Sequence, residues 1–206
     1  ALTAALLGTA VGLPAGYFGG RLDEVLMRLT DGVIALPLLP LLIVLAAVSP
    51  DKLGLGGMDP DRLGLLRIVV LVALVGWTTA ARLVRGAALA TRRLEHVRAA
   101  EALGAGPVRI MLLHILPNVT APLVVATTLS VGNVILLESV LSFLGLGIQP
   151  PLPSWGNMLT NAQEMIATAP ALALWPGALI FVTVMACNLL GDGLQEALDP
   201  RAAKRR

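Results

Sequence analysis

The sharpest chemical group in this chain is a single acid. From Ile110 to Leu137 no residue carries a formal charge, His114 aside, and then comes Glu138, with Asn133 five residues before it and Ser142 one helical turn after. Glu138 stands about eleven residues before the Gln149–Pro150 boundary, roughly 16 Å of helix at 1.5 Å per residue. An acid at that depth lines a path for a cation or a proton, or it is satisfied by a hydrogen bond from Ser142 or a neighbouring helix. Glu138, Asn133 and Ser142 are therefore candidate pathway residues. Other chemistry is thin. His96 and His114 have no cysteine beside them, so no metal site is expected. Gly191-Asp192 suggests intramembrane aspartyl chemistry, but Leu189 stands where a glycine is needed and no second aspartate lies within a span. No G-x-x-x-x-G-K-[ST] motif occurs, so no P-loop and no catalytic residue is expected.

A second constellation suits docking rather than catalysis. "RAAEALGAGPVRIMLLHILPN" (98–118) interrupts the apolar chain with three charges and a Gly-Ala-Gly-Pro corner. Thr91 to Leu103 holds strong helix formers and no breaker. Gly104 tolerates the left-handed conformation that ends a helix. Pro107 suits the first position of the next one, and Pro117 is expected to kink or reset that helix. Ala99, Ala100, Ala102 and Ala105 keep the corner small, so another backbone can approach closely. The alternative is an amphipathic helix resting in headgroups, for which Leu94, Val97 and Leu103 form a thin apolar face.

These residues need a membrane to position them. The chain is 56% hydrophobic and 14% charged, against about 45–50% and about 25% in soluble domains. Stretches of roughly 20 apolar residues cross a bilayer as helices, and period-2 alternation is absent. Spans are expected near 1–18, 27–48, 65–87, 115–146 and 168–191, giving an all-α polytopic membrane protein built as one domain over 1–206. Twelve of the fifteen Lys and Arg fall in the first connection, the third connection and the tail, which places those regions in the cytoplasm. The outer face receives loops near 49–66 and 149–167; the latter includes the stiff, proline-rich Gln149–Gly156 and Trp155 as an interface anchor. The tail is 192–206. An N-terminus outside, with no signal peptide, points to one further span before Ala1. The net charge of +2 is too small to imply nucleic acid.

The 98–117 segment resembles the "EAA" loop of ABC importer permeases: Glu-Ala-Ala, three residues, Gly, nine residues, then a motif ending in Leu-Pro. Ala99, Ala100, Gly104, Leu116 and Pro117 fall in register; Arg98 takes the usual Glu place and His114 a usual Ile place. Glu101, one turn on, is the available acid. Gly16–Arg28 with Asp31, "SFLGLGIQPPLPSWGNML" (142–159) and "NLLGDGLQEALDP" (188–200) resemble the dipeptide/oligopeptide/nickel branch. The resemblance implies a six-span type I permease. Its coupling loop, about 88–114 with the helix at 93–106, would dock on an ATPase through Arg98, Ala99, Ala100, Glu101, Ala102, Leu103, Gly104 and Pro117. It also implies a bacterial inner-membrane location, a sister permease in a heterodimer, two ABC ATPase subunits that use the ATP, a solute-binding protein delivering peptides or a similar solute, and no directly bound cofactor. Two other functions fit the composition: a proton-coupled secondary transporter using Glu138, and a membrane scaffold that grips a soluble protein through 93–106.

Overall fold

A computed structural model describes residues 1–37, 40–41, 43–44, 60–148 and 151–198. Among these residues every regular element is helical. The helices are α1 (Leu2–Phe18), α2 (Gly20–Ala35), α3 (Pro60–Thr91), α4 (Glu95–Ala102), α5 (Pro107–Phe143), α6 (Trp155–Gln163) and α7 (Ala171–Leu198). Three stretches are long and apolar enough to cross a membrane: Ile68–Thr91, α5 and α7; α1 is a shorter apolar helix. Their outward faces carry large exposed hydrophobics such as Leu113, Leu174 and Phe181, a surface made for lipid or another subunit rather than water.

The second expected span differs from what forms. Arg21, Asp23, Glu24 and Arg28 do not end a span; they belong to α2, which begins at Gly20. Gly19 and Gly20 both have positive φ, +66° and +58°, a conformation that costs glycine little, and they turn the chain from α1 into α2. Leu36 is extended (ψ 131°) and ends α2, because a following proline disfavours helical backbone. The rest of 38–48 falls largely outside the described residues, as does most of the 49–66 loop. At the other end, α7 continues to Leu198, so the first residues of the expected 192–206 tail are helical.

The chain divides into two compact units: 1–36, 73–128 and 191–206 in one, 37–72 and 129–190 in the other. In the first, Gly8, Gly12 and Gly16 line one face of α1 at four-residue spacing and meet α3. A Cβ on Gly16 would lie 2.7 Å from both the Ala88 Cβ and the Arg85 carbonyl oxygen, and one on Gly12 would overlap the Ala81 carbonyl. Such contact needs small residues, and it supplies van der Waals energy where lipid gives no hydrophobic drive. Asp23 of α2 accepts two hydrogen bonds from the Arg85 guanidinium at 2.5 and 2.6 Å, and Asp31 pairs with Arg82 at 2.5 Å. In the same unit Leu13, Tyr17, Val84, Ala88, Val97, Ile110, Ile115 and Val119 form the buried core.

In the second unit α5 closes with a left-handed Gly145 (φ +76°). Gly145 N–H donates to the Ser142 carbonyl and Leu146 N–H to the Leu141 carbonyl, the paired bonds of a Schellman end. Leu146 packs on fully buried Leu141.

Candidate functional site

The corner at 95–107 is built from its ends inward. Leu94 is extended (φ −69°, ψ 145°) and starts α4, its carbonyl accepting from the N–H groups of Val97 and Arg98. This breaks the helix expected from Thr91 or Arg93: α3 stops at Thr91 and α4 spans Glu95–Ala102 only. Glu95 in the first turn complements the positive helix end. At the far end Gly104 has φ +85°. Its N–H donates to the Glu101 carbonyl and the Ala105 N–H to the Ala100 carbonyl, a second Schellman closure. Gly106 is extended and Pro107 opens α5, the glycine-then-proline order that the sequence leads one to expect.

Pro117 does not break α5. Instead the helix widens to π geometry over Ile110–Ile115, immediately before it. A proline ring clashes with the carbonyl four residues back, here that of Leu113, and the widened turn moves that carbonyl aside.

One residue decides how α4 is held. Val97 is fully buried and belongs to the core formed with α1, α3 and α5. Burying a valine contributes roughly 1.5–3 kcal/mol, and it leaves the opposite face open: Arg98, Ala99, Glu101 and Ala102 are exposed, and Leu103 at the tip is 88% exposed. Gly104 is exposed, and a Cβ added there would meet nothing within 4 Å. Pro117, on α5, is exposed as well. The face offers no nucleophile or acid–base pair. It offers small side chains, two charges and one apolar knob, which is the makeup of a docking surface. The His96 and His114 rings lie 6.4 Å apart, and no group of three or more metal-ligating residues occurs among the described residues.

The pathway candidates sit elsewhere. The Ser142 hydroxyl donates to Glu138 Oε1 at 2.6 Å and accepts from the Ile148 N–H at 3.0 Å. Ser142 is 2% exposed, so it is committed to this network. The hydrogen bond from Ser142 to Glu138 that their one-turn spacing allows is present. Asn133 is exposed on α5.

The 149–167 segment, expected as a loop, contains α6. The signal for it in the sequence is Ser154-x-x-Asn157: Ser154 Oγ accepts the Asn157 N–H at 3.2 Å, and Asn157 Oδ1 accepts the Ser154 N–H at 3.0 Å, a reciprocal cap. The small Gly156 lets α6 pack on α5, where a Cβ would fall 2.6 Å from the Ser142 Cβ.

Comparison with known proteins gives a consistent answer. The family described as "binding-protein-dependent transport system inner membrane component" matches residues 8–204. A glutathione transport system permease protein of Pectobacterium atrosepticum is 40% identical over 200 residues, covering 97% of this chain and 62% of that protein. An oligopeptide transport system permease protein of Bacillus subtilis is 37% identical over 199 residues, 97% of this chain and 61% of its own length. A di/tripeptide transport system permease protein of Pseudomonas aeruginosa is 40% identical over 194 residues, 94% and 60%. The chain thus spans about three fifths of the length of these relatives.

Proposed function

The chain belongs to the family of binding-protein-dependent transport system inner membrane components, and from that membership we propose that it is the permease portion of an ATP-driven importer of peptides or a related small solute such as glutathione. In this reading α4 is the coupling helix. Two ATPase subunits on the cytoplasmic side bind and hydrolyse the nucleotide, and the permease holds none. A sister permease completes the pathway, and a solute-binding protein delivers cargo to the outer face. ATP-driven closure of the ATPases moves α4, and the spans switch access from outside to inside. Glu138 and Asn133 remain candidates for contact with the solute, with Glu138 acting through the oxygen that Ser142 leaves free.

The observation that carries the coupling role is the two-faced burial of α4. Val97 ties it to the same core as Leu13, Val84 and Ile115, while Ala99, Ala102 and Leu103 stay open. A push on the open face therefore reaches the spans without bending a loop. The test is cross-linking in the assembled importer, in a Cys187→Ser background. An Ala102→Cys variant is expected to cross-link to the ATPase subunit and to be shielded from membrane-impermeant thiol reagents added outside intact cells. Labelling of that cysteine from outside overturns the assignment.

A further inference from the structure

We propose that the chain carries a binding site for the phosphodiester headgroup of an anionic glycerophospholipid, formed by Arg92, Arg93 and Arg98 where α3 leaves the membrane. The side of the bilayer rests on the cytoplasmic placement of α4 proposed above. The arginines of this region divide into two sets. Arg82 and Arg85 are neutralised by Asp31 and Asp23 of α2. Beyond them, Arg92, Arg93 and Arg98 line a hollow of about 410 Å³ with Leu89 and Glu101. None of these three has a carboxylate within 4 Å among the described residues. Three guanidiniums and one carboxylate leave the hollow a net charge near +2, which matches a ligand bearing one or two phosphodiesters.

Arg92 is held in place without being neutralised. Its guanidinium carbon sits 5.5 Å from the centre of the Tyr17 ring, a cation–π arrangement. Guanidinium forks match phosphate oxygens in pairs. The depth is also right for a headgroup. The apolar span of α3 ends at Thr91, and Tyr17 and Phe18, in edge contact at 5.0 Å, end α1 as an aromatic pair of the kind that gathers at membrane interfaces. Leu89 gives the hollow an apolar side for the first carbons of the lipid chains. Arg98 and Glu101 also belong to the open face of α4, so an acidic segment of the ATPase subunit is the competing occupant of the hollow, and the test below separates the two.

The test uses the full-length permease assembled with its ATPase subunits in nanodiscs that contain phosphatidylglycerol and phosphatidylcholine, with retained lipid counted by native mass spectrometry. The triple variant Arg92→Gln, Arg93→Gln, Arg98→Gln is expected to hold phosphatidylglycerol about a hundredfold more weakly, and the corresponding triple Lys variant to keep most of the binding. Arg93→Gln alone, at an exposed position, supplies a milder loss in the same direction if the triple variant fails to fold. Equal retention by wild type and Gln variants overturns the proposal. So does loss of the ATPase subunits with lipid retention unchanged, which assigns the hollow to protein docking, and so does displacement of the lipid by millimolar inorganic phosphate. Loss of lipid in Arg93→Gln with uptake intact supports the site and leaves the importer reading standing, whereas outside labelling of Ala102→Cys removes that reading without touching the lipid count.

Discussion

Ser142 fastens Glu138 to the loop that follows α5: its hydroxyl gives its proton to the Glu138 carboxylate and its oxygen takes the Ile148 N–H. Glutamine presents the same acceptor oxygen at that site. Glu138→Gln is therefore expected to keep wild-type initial rates of uptake in the reconstituted importer, with unchanged protein levels. Ser142→Ala removes both bonds at once and leaves the part-buried Ile148 N–H without that acceptor, costing about 1 kcal/mol; its thermal midpoint in detergent should fall below that of Glu138→Gln. Abolished uptake in Glu138→Gln at normal expression would assign the acid to transport itself.

The two α2–α3 ion pairs are expected to differ in worth. Asp23 and Arg85 have side chains 14% and 35% exposed and meet through two bonds, whereas Asp31 and Arg82 are 59% and 52% exposed. Asp23→Ala should cost about 2 kcal/mol and Asp31→Ala under about 1 kcal/mol. Double-mutant cycles with Arg85→Ala and Arg82→Ala, read by denaturation in mild detergent, measure each coupling. Equal couplings would mean that burial does not strengthen the Asp23 pair.

Substituting glycines in α1 and α3 tests the tight helix contact. Gly12→Ala drives a methyl into the Ala81 carbonyl and should destabilise by about 1–3 kcal/mol. Gly86→Ala, with nothing within 4 Å, should be neutral or stabilising by up to about 1 kcal/mol, since it removes helical glycine. The comparison is made by thermal unfolding of the two variants, and a neutral Gly12→Ala would show that α1 does not pack as described.

Gly104→Trp combines bulk with a backbone angle that L-residues avoid, a strain of about 1–2 kcal/mol. Membrane insertion should be unaffected, because α4 and Gly104 lie outside the spans, while ATP-driven uptake should be lost. Leu103→Asp provides the unstrained control: it changes only an exposed tip and should weaken coupling without altering stability. Wild-type uptake in both variants would remove α4 from the energy route.

What is legible of this corner in the sequence comes from residues whose preferences are local. Gly104 and Pro107 announce a left-handed end and a helix start by their covalent structure, and both appear as expected. The same holds for the third, fourth and fifth expected spans, since length and hydropathy need no knowledge of neighbours. The departures arise where a partner decides. Arg21 to Arg28 look like a span boundary until Asp23 is seen to meet Arg85, sixty-two residues away. Gly8, Gly12 and Gly16 carry a visible four-residue spacing, but only Ala81 and Ala88 across the interface give it meaning. Leu94 has no sequence feature that forces it out of helix; it is turned by the need to bring Val97 onto the core. The Ser154–Asn157 cap is a local signal too, but it is masked by the prolines before it, which read as loop.

The π turn at Ile110–Ile115 has a further consequence. A π turn holds one residue more than the α-helical turn it replaces, so the side chains beyond it are rotated by about 100° relative to an uninterrupted helix. Two surfaces of α5 are thereby decoupled: the stretch that meets α4 and the stretch beyond Pro117 keep separate angular phases. Removing a single amino acid within 110–115 should let the backbone anneal into plain α-helix with Val119 still facing the core, whereas the same deletion in an ordinary helix would turn every later side chain by about 100°. That bulge works as a phase adjuster between the α4 corner and the apolar stretch that follows it.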